Sequence, residues 1–448
     1  MNKRIYHIDP VSGDDTNDGL APAQPLKTYA TREFAGGDTV LFKRGSVIRD
    51  MLHTRNGGDQ APITYGAYGE GAKPAFLGSV PVGDPACWEE ESPELWRYAG
   101  VFTSEVCNLI FNGGEVCGNL RWEIADLRQP GEWHYSDSGR RSASESGGDR
   151  GGREGVLYLC SPTNPGHAYA GIECALWGQR RLVGGQQHVI LENLSFCNAG
   201  VHGYQELHAH DIVIRHCEFR FIGGAVWHRE RRIRFGNAIE FWDGANDVTV
   251  EHCRFDNIYD SGVTHQGGET RNIPARLCFR HNLFTNCGMA AYECREPSQE
   301  VYFEHNICVN AGGGFSMQGE VPPRQSEIYP QPMGHHIFVW KVEPDTQPGH
   351  VTIRHNVFCE APYGAAIYSI IAPADEEQFV LDHNTYWQTT GGLLNHWGGR
   401  SYCPADFSRY QAESGQDGQS QMTEPAFMDA TRGDYRLCGA IGARIGDE

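Results

Sequence analysis

Lysine is scarce in this 448-residue sequence, although Lys and Arg together number 37. The five lysines are Lys3, Lys27, Lys43, Lys73 and Lys341. The formal net charge is -20, whereas a surface that binds nucleic acid needs concentrated positive charge. The sequence therefore indicates no nucleic-acid partner, and it disfavours a mechanism that depends on a lysine.

Paired metal-binding cysteines and long apolar runs are also missing from the sequence. The 15 cysteines are scattered without CxxC spacing, which predicts neither a disulfide framework nor a zinc site. The opening MNKRIYHIDPVSGDD has no apolar run of about seven residues or more, as a secretory signal would, and no run elsewhere is long enough to span a membrane. We expect no membrane partner and a cytoplasmic location, or a secreted one if a signal peptide has been removed.

A short phrase recurs from residue 188 onward. Its seven copies are HVILENLSF (188–196), DIVIRHCEF (211–219), DVTVEHCRF (247–255), ARLCFRHNLF (275–284), EVYFEHNIC (300–308), HVTIRHNVF (350–358) and QFVLDHNTY (378–386). Each copy alternates apolar with polar residues, which is typical of a half-buried strand. One strand cannot bury its own apolar face, so spacings of roughly 20 to 50 residues indicate a solenoid of stacked copies with loops inserted in some coils.

A histidine followed by Asn or Cys occupies the same place in six copies, and stacking predicts that these side chains form ladders. The pairs are His216-Cys217, His252-Cys253, His281-Asn282, His305-Asn306, His355-Asn356 and His383-Asn384. Buried amides are normally hydrogen-bonded. For the four asparagines we therefore expect an internal amide ladder that binds the turn backbone, rather than a catalytic role.

A second phrase follows each first one and predicts another sheet of the same coil. A small residue opens this phrase and a strand continues it, with His, Tyr, Glu, Trp and Gln at its outward positions. The copies are AGVHGYQ (199–205), NAIEFWD (237–243), SGVTHQG (261–267), MAAYECR (289–295), GGFSMQG (313–319), GAAIYSI (364–370) and GGLLNHW (391–397).

Several segments resemble a known superfamily. YHIDPVSGDDTNDGLAPAQPLKT, GGDTVLFKRGSVIRD and ITYGAYGEGAKPAFLGS resemble the first coils of the pectate-lyase-like β-helix superfamily. LIFNGGEVCGNLRW, PGEWHY and GVLYLCSPTNP resemble the β-rich insertion of its glycoside hydrolases, including the β-helical β-xylosidases. The resemblance implies an all-β, right-handed parallel β-helix that acts on carbohydrate. It does not identify the substrate, because the superfamily includes hydrolases, lyases and epimerases.

These patterns predict four segments. Residues 1–79 form an N-terminal cap with the first coils, and residues 80–187 form the β-rich insertion. Residues 188–400 form the core of the β-helix, and residues 401–448 form a C-terminal segment.

Hydrolysis of a glycosidic bond normally needs two carboxyl groups. Glu240, Asp243 and Glu293 are the candidates in the second-phrase strands. Glu240 and Glu293 are two coils apart. Because neighbouring strands lie about 4.8 Å apart, their backbones should be about 9.6 Å apart. That value is near the inverting range of about 6.5–9.5 Å, whereas a retaining pair needs about 5–5.5 Å. Because side chains lean, the stereochemistry stays open, and Asp243 or Asp260 could replace either partner.

A sugar-binding groove needs flat aromatic surfaces and polar groups that bind hydroxyls. We predict that Glu240 and Glu293 face the same groove, with His265 between them. The candidates for stacking are Trp242, Tyr204, Tyr292 and Trp340, and those for hydrogen bonding are His202, His265, Gln266, Arg295 and Gln318.

The predicted function is a glycoside hydrolase that cleaves an oligo- or polysaccharide and needs no nucleotide, redox or metal cofactor. The alternative is a polysaccharide lyase, which neutralises a uronate carboxylate and removes the neighbouring proton. Arg295, His265, His202 and Tyr204 are the candidates for that chemistry. A binding protein without catalysis is a third reading.

Overall fold

A computed structural model describes residues 3–30, 32–141, 153–178, 181–266, 273–295, 298–313, 333–340 and 349–438. Within these residues the chain winds into coils whose strands stack into three long sheets of ten, ten and nine strands. Pairing along the sheets is parallel except for the last strand of the third, which is antiparallel. The predicted all-β, right-handed parallel β-helix is confirmed. No helix in these residues is both long and apolar enough to cross a membrane.

Each complete coil contributes one strand to each sheet. Sheet 1 contains Ile5–Ile8, Thr39–Lys43, Ile63–Tyr68, Gln187–Glu192, His210–Arg215, Asn246–Glu251, Ala275–Arg280, Gln299–Glu304, Val351–Arg354 and Phe379–Asp382. Sheet 2 contains Val47–Ile48, Ala75–Leu77, Ser195–Cys197, Glu218–Ile222, Arg254–Ile258, Leu283–Cys287, Ile307–Val309, Val357–Cys359, Thr385–Trp387 and Gln421–Met422. Sheet 3 contains Arg181–Val183, His202–Leu207, Ile239–Trp242, Ser261–Gln266, Ala290–Cys294, His335–Val339, Ile367–Ser369, Asn395–Trp397 and Arg400–Tyr402.

The core is a continuous column of apolar side chains inside the coils. In sheet 2, one inward position holds a ladder of stacked phenylalanines whose ring centres lie 5.7, 5.2, 5.3 and 4.6 Å apart, formed by Phe76, Phe196, Phe219, Phe255 and Phe284. Because parallel strands pair residue for residue, an apolar residue at one position packs on its counterpart in the next coil. The recurring phrase therefore sets the register of the coils.

The first phrase spans two strands rather than one. In the copy at 247–255, Asn246–Glu251 belongs to sheet 1 and Arg254–Ile258 to sheet 2. His252 lies between them at a φ of 53°, in the left-handed region where His and Asn are more common than most residues. The histidine therefore marks the bend between the two sheets.

The predicted amide ladder is confirmed at this bend. The backbone N–H groups of Asn282, Asn306 and Asn356 donate to the side-chain oxygen of the next asparagine at 2.9, 2.9 and 3.0 Å. Each side-chain amide also donates to a backbone carbonyl, as Asn306 does to Phe279 at 2.9 Å. The ladder ends where Asn384 donates its N–H to Ser420 Oγ at 2.7 Å.

Replacing Asn306 by Ala is expected to destabilise the fold strongly. The change removes the oxygen that accepts the Asn282 N–H and the amide that donates to the Phe279 carbonyl, and each buried polar group left unpaired costs about 1–3 kcal/mol. Asn306→Cys is the matched control, since Cys253 holds the same position and its sulfur accepts the Cys217 N–H at 3.4 Å. We expect chemical denaturation to rank the free energy of unfolding as wild type, then Cys, then Ala. Equal values for Ala and wild type would contradict the role of the ladder.

Six imidazoles form a column beside the amides, in which the first five are stacked and the last is tilted by 45°; they belong to His216, His252, His281, His305, His355 and His383. Successive ring centres lie 5.1, 5.0, 5.0, 4.8 and 4.9 Å apart. Burial, together with the charge that neighbouring rings would carry, lowers the pKa of His216, His281 and His355. The folded state therefore disfavours protonation of these three rings.

This stack predicts that the protein loses stability in mild acid. The folded-state pKa values of His216, His281 and His355 lie below the ordinary 6.5, so the unfolded chain binds more protons and stability falls as pH drops below that value. His281→Asn removes one titrating ring and suits the left-handed backbone. Thermal melting followed across this pH range should show a shallower slope for the variant. An unchanged slope would contradict a contribution from the stack.

The insertion forms two antiparallel-rich sheets beside the first coils. One contains Ser79–Pro81, Val106–Phe111, Val116–Cys117 and Ile172–Leu176, and the other contains Trp88–Ser92, Leu95–Tyr98, Asn119–Leu120, Glu132–Arg141 and Arg153–Cys160. Arg49 anchors this unit to a coil by two hydrogen bonds of 2.7 Å to the carboxylate of Glu173. Smaller hairpins pair Ala225–His228 with Ile233–Phe235 and Phe427–Asp429 with Asp434–Leu437.

Short helices join or cover the strands. The α-helices are Pro165–Ala168, Pro373–Glu376 and Phe407–Ser414, and the 3-10 helices are Pro85–Cys87, Ile124–Asp126, Pro404–Asp406 and Ala430–Arg432. The last α-helix places Phe407 and Tyr410 in the core cluster of the coils. It therefore covers apolar surface at the C-terminal coils.

Candidate active site

Glu240 and Glu293 share one face of sheet 3. Glu240 pairs in register with Thr264, and Thr264 pairs with Glu293. The neighbours Phe241 and Tyr292 belong to the core, so alternation along the strands directs both glutamates away from it. This confirms the predicted relation of the two strands, which are two coils apart in one sheet.

Glu240 is held by three side-chain donors. His202 Nε2 and Gln205 Nε2 lie 2.9 and 2.8 Å from its Oε2, and Gln266 Nε2 donates to its Oε1 at 2.8 Å. The Asn237 N–H donates to His202 Nδ1 at 3.2 Å. Nδ1 therefore carries a lone pair, and Nε2 carries the proton donated to Glu240.

These contacts keep Glu240 ionised. Burial alone raises the pKa of a carboxyl, but the interaction with His202, the Gln205 hydrogen bond and the charge of Arg295 outweigh it. The pKa of Glu240 therefore lies below its ordinary value of 4.5. Such a group suits a base or a nucleophile.

Glu293 has a different environment. Its Oε1 accepts from Trp340 Nε1 at 2.8 Å, and its Oε2 accepts from Ser261 Oγ at 3.1 Å. Burial is the main cause that raises its pKa above the ordinary value, and the negative charge of Asp260 adds to it. These surroundings therefore shift Glu293 toward the protonated form, which suits a general acid.

Arg295 lies between the indoles of Trp242 and Trp340, two residues further along the chain than Glu293. Its guanidinium carbon is 5.5 Å from the ring centre of Trp242 and 4.7 Å from that of Trp340. It also donates a hydrogen bond to Gln266 Oε1, and Gln266 in turn binds Glu240. The positive charge of Arg295 thus lies near both carboxyl groups. It contributes a lowering to the pKa of each, although burial outweighs that contribution at Glu293.

The glutamates face away from the core but are not open to solvent. Glu240 is 5% exposed and Glu293 is 3% exposed, so neither side chain is solvent-facing. Side chains from neighbouring strands, among them Gln205, Gln266 and Trp340, bind their oxygens and shield them. The outward direction of a strand position therefore did not imply exposure.

The predictions for Tyr204, Tyr292 and His265 are wrong, because all three side chains point inward. Tyr204 is fully buried and donates to the Gly185 carbonyl at 2.7 Å. His265 is also fully buried, with Nε2 2.8 Å from the Tyr292 hydroxyl, and burial lowers its pKa to about 3. Tyr292 lies in the same core. Thr264, not His265, occupies the register position between the glutamates.

The other predicted residues have separate positions. Asp243 follows Trp242 at a φ of 55°, and its backbone carbonyl accepts from His208 Nδ1 at 2.6 Å. Asp260 Oδ2 accepts the Gly236 N–H at 2.7 Å. Gln318 lies outside the described residues.

The structure brings together seven of the predicted residues: Glu240, Glu293, His202, Trp242, Gln266, Arg295 and Trp340. It adds Gln205 and Ser261, which the sequence reading missed. Gln205 pairs in register with Glu240, so its outward direction could have been inferred once the strands were aligned. Ser261 opens its strand, where alternation gives little guidance.

No family model and no curated protein matches the sequence. Similar solved structures include the GH136 lacto-N-biosidase from Eubacterium ramulus, at 15% identity over 94% of this chain and 67% of that chain, with a TM-score of 0.45. XylC in complex with xylose is 11% identical over 93% of this chain and 82% of that chain, with a TM-score of 0.48. The pectate lyase Pel9A is 11% identical over 99% of this chain and 91% of that chain, with a TM-score of 0.41. The activities in these names are those of the other proteins.

Proposed function

We propose that the protein is a carbohydrate-active enzyme, specifically a glycoside hydrolase of oligo- or polysaccharides. Glu293 is its general acid and Glu240 is its general base. The observation that carries the proposal is the pair of carboxyl groups on one face of sheet 3, whose surroundings shift their pKa values in opposite directions. Divergent pKa values in a neighbouring pair are the usual signature of an acid and a base at work together.

The remaining side chains of the site fit a sugar ligand. Trp242 and Trp340 are half-buried and offer indole surface for the apolar face of a sugar ring. Arg295 is half-buried between them and offers donors to ring hydroxyls. Stacking surface and hydrogen-bonding groups thus adjoin the two carboxyl groups.

The proposed reaction moves two protons. Glu293 donates its proton to the glycosidic oxygen as the bond to the anomeric carbon breaks. Glu240 accepts a proton from the water that attacks this carbon, so the two products gain the elements of one water molecule. The backbone separation of two strand spacings, about 9.6 Å, is near the range of inverting pairs. Direct attack by Glu240 would instead retain the configuration of the anomeric carbon, so the configuration of the released sugar distinguishes the two routes.

A panel of neutral oligosaccharides, aryl glycosides and polyuronates tests the proposal. We expect new reducing ends from at least one glycoside, without added nucleotide or redox cofactor. The Glu240→Gln and Glu293→Gln proteins, prepared in parallel, should release far less. Reducing ends that form equally in all three preparations would point to a contaminating enzyme.

Two other results would replace the proposal with a different function. An ultraviolet-absorbing unsaturated uronate from polyuronates, with no reducing ends from neutral glycans, would identify a lyase. Of the residues proposed for a lyase, Tyr204 and His265 face inward, which disfavours that chemistry. Retention on a polysaccharide column without any product would identify a binding protein.

A further inference from the structure

His202 was first interpreted as a residue that binds sugar, but both of its ring nitrogens are already engaged. Nδ1 accepts the Asn237 N–H at 3.2 Å, and Nε2 lies 2.9 Å from Glu240 Oε2. The residue is 3% exposed, and its ring packs edge-on against Phe235 with centres 5.6 Å apart. The imidazole therefore has no nitrogen left for a hydroxyl of the substrate.

We propose that His202 is a positioning residue, which holds Glu240 in one orientation and keeps it ionised so that it can act as the base. The inference deepens the proposed hydrolase function and rests on it. Because the backbone N–H of Asn237 can only donate, it fixes the ring tautomer in which Nε2 donates to the carboxylate. A hydrogen bond to the charged form of an acid favours that form.

The same short segment also supports the acid. The Asn237 side-chain oxygen accepts the Ser261 N–H at 2.9 Å, and Ser261 Oγ donates to Glu293 at 3.1 Å. Asn237 is 5% exposed and Ser261 is fully buried. Asn237, just before the strand Ile239–Trp242, thus hydrogen-bonds both His202, which binds Glu240, and Ser261, which binds Glu293.

Several titratable or charged groups surround Glu240. His202 faces it from the preceding strand in sheet 3, and Arg295 faces it from the strand two coils further on. Glu293 lies on that same strand, and Asp243 follows Glu240 in its own coil turn. A change at His202 leaves the other three in place, so its effect on the titration of Glu240 can be isolated.

The test compares His202→Ala with His202→Gln, which restores an N–H donor, and with His53→Ala, an exposed histidine on a first coil. The first measurement is the titration of the Glu240 carboxyl by carbon-13 NMR in glutamate-labelled protein, with the signal assigned by its loss in Glu240→Gln. His202→Ala should move this titration to higher pH, and His202→Gln should restore it. This measurement needs no substrate.

The second measurement is kinetics on a saccharide that the wild type cleaves. His202→Ala should lower kcat by about 10- to 100-fold, by analogy with the cost of losing a hydrogen-bond partner that orients a metal ligand, while KM changes little. The acidic limb of the pH profile should move to higher pH. His53→Ala should match the wild type.

Two results would overturn the role of His202. An unchanged Glu240 titration in His202→Ala would show that the histidine does not keep the carboxylate ionised. A rise in KM with an unchanged kcat would show that it binds sugar instead. If no saccharide is cleaved, the proposed hydrolase function fails, yet the titration still decides whether His202 controls Glu240.

Discussion

Glu293→Gln is expected to lower kcat by about 10²- to 10⁴-fold, the range for losing general acid–base catalysis. Glutamine keeps the shape of the side chain and an oxygen for Trp340 Nε1, but it cannot give a proton to the leaving oxygen. The alkaline limb of the wild-type pH profile should come from Glu293, because it must stay protonated and its pKa is raised. That limb should disappear in the variant.

Substrates with different leaving groups make this prediction specific. A leaving group that is itself a good acid needs little protonation, so an activated aryl glycoside should suffer a smaller loss than an ordinary disaccharide. Equal losses on both would contradict the acid role. Glu300→Gln, at an exposed position of sheet 1, is the matched control and should keep wild-type rates.

Glu240→Gln is expected to lower kcat by a similar factor of about 10² to 10⁴ on every substrate, because an amide cannot accept the proton of water. The activated aryl glycoside should bring no recovery, in contrast to Glu293→Gln. The acidic limb of the pH profile should disappear, since it reports the ionisation of Glu240. Near-normal turnover would remove Glu240 from the mechanism, and Asp243 would be the next carboxylate to test.

Stability should separate the same two variants at neutral pH. The folded-state pKa of Glu240 is lowered, so its ionised form adds stability above about pH 4.5 that Glu240→Gln loses. In Glu240→Gln the side-chain NH₂ group also faces one or more of His202, Gln205 and Gln266. Because these three groups donate to Glu240 in the wild type, a donor then meets a donor. The folded-state pKa of Glu293 is raised, so its contribution is present in acid and lost as pH rises. At neutral pH, Glu293→Gln should therefore melt no lower than the wild type, whereas Glu240→Gln should melt lower.

The fold could be predicted from the sequence because the same physical requirement recurs in every coil. The side chains of Asn306, Asn356 and Asn384 each accept the backbone N–H of the preceding asparagine at the same bend, so the sequence repeats the residue that the geometry needs. A turn at the asparagines was expected, but its position inside the phrase was not, because a left-handed φ at His252 leaves no mark on the alternation of apolar and polar residues. The phrase was therefore read as one strand instead of two.

The site was predicted only in part. The alternation of side chains between the two faces of a strand explains which predictions were right and which were wrong. Glu240 and Glu293 occupy outward positions of their strands, as the sequence predicts. Tyr204 and His265 are polar or aromatic residues at inward positions, where a hydroxyl or imidazole is satisfied inside the core by Gly185 or Tyr292. Polarity alone could not reveal that direction.

The pKa shifts of Glu240 and Glu293 depend on contacts between parts of the chain that are distant in sequence. Trp340 is 47 residues from Glu293, and Gln205 is 35 residues from Glu240. Such partners follow from the register of the coils and the length of the loops between them, which vary from coil to coil. The sequence therefore predicted two carboxyl groups but not which one is the acid.

Mass spectrometry of products formed in isotopically labelled water is the most direct test of glycoside hydrolysis. The proposed mechanism predicts that each cleavage adds one labelled water oxygen to the anomeric carbon, and that Glu240→Gln and Glu293→Gln largely abolish this incorporation. Products whose masses sum to that of the substrate, with an unsaturated uronate and no label, would contradict hydrolysis and establish elimination instead.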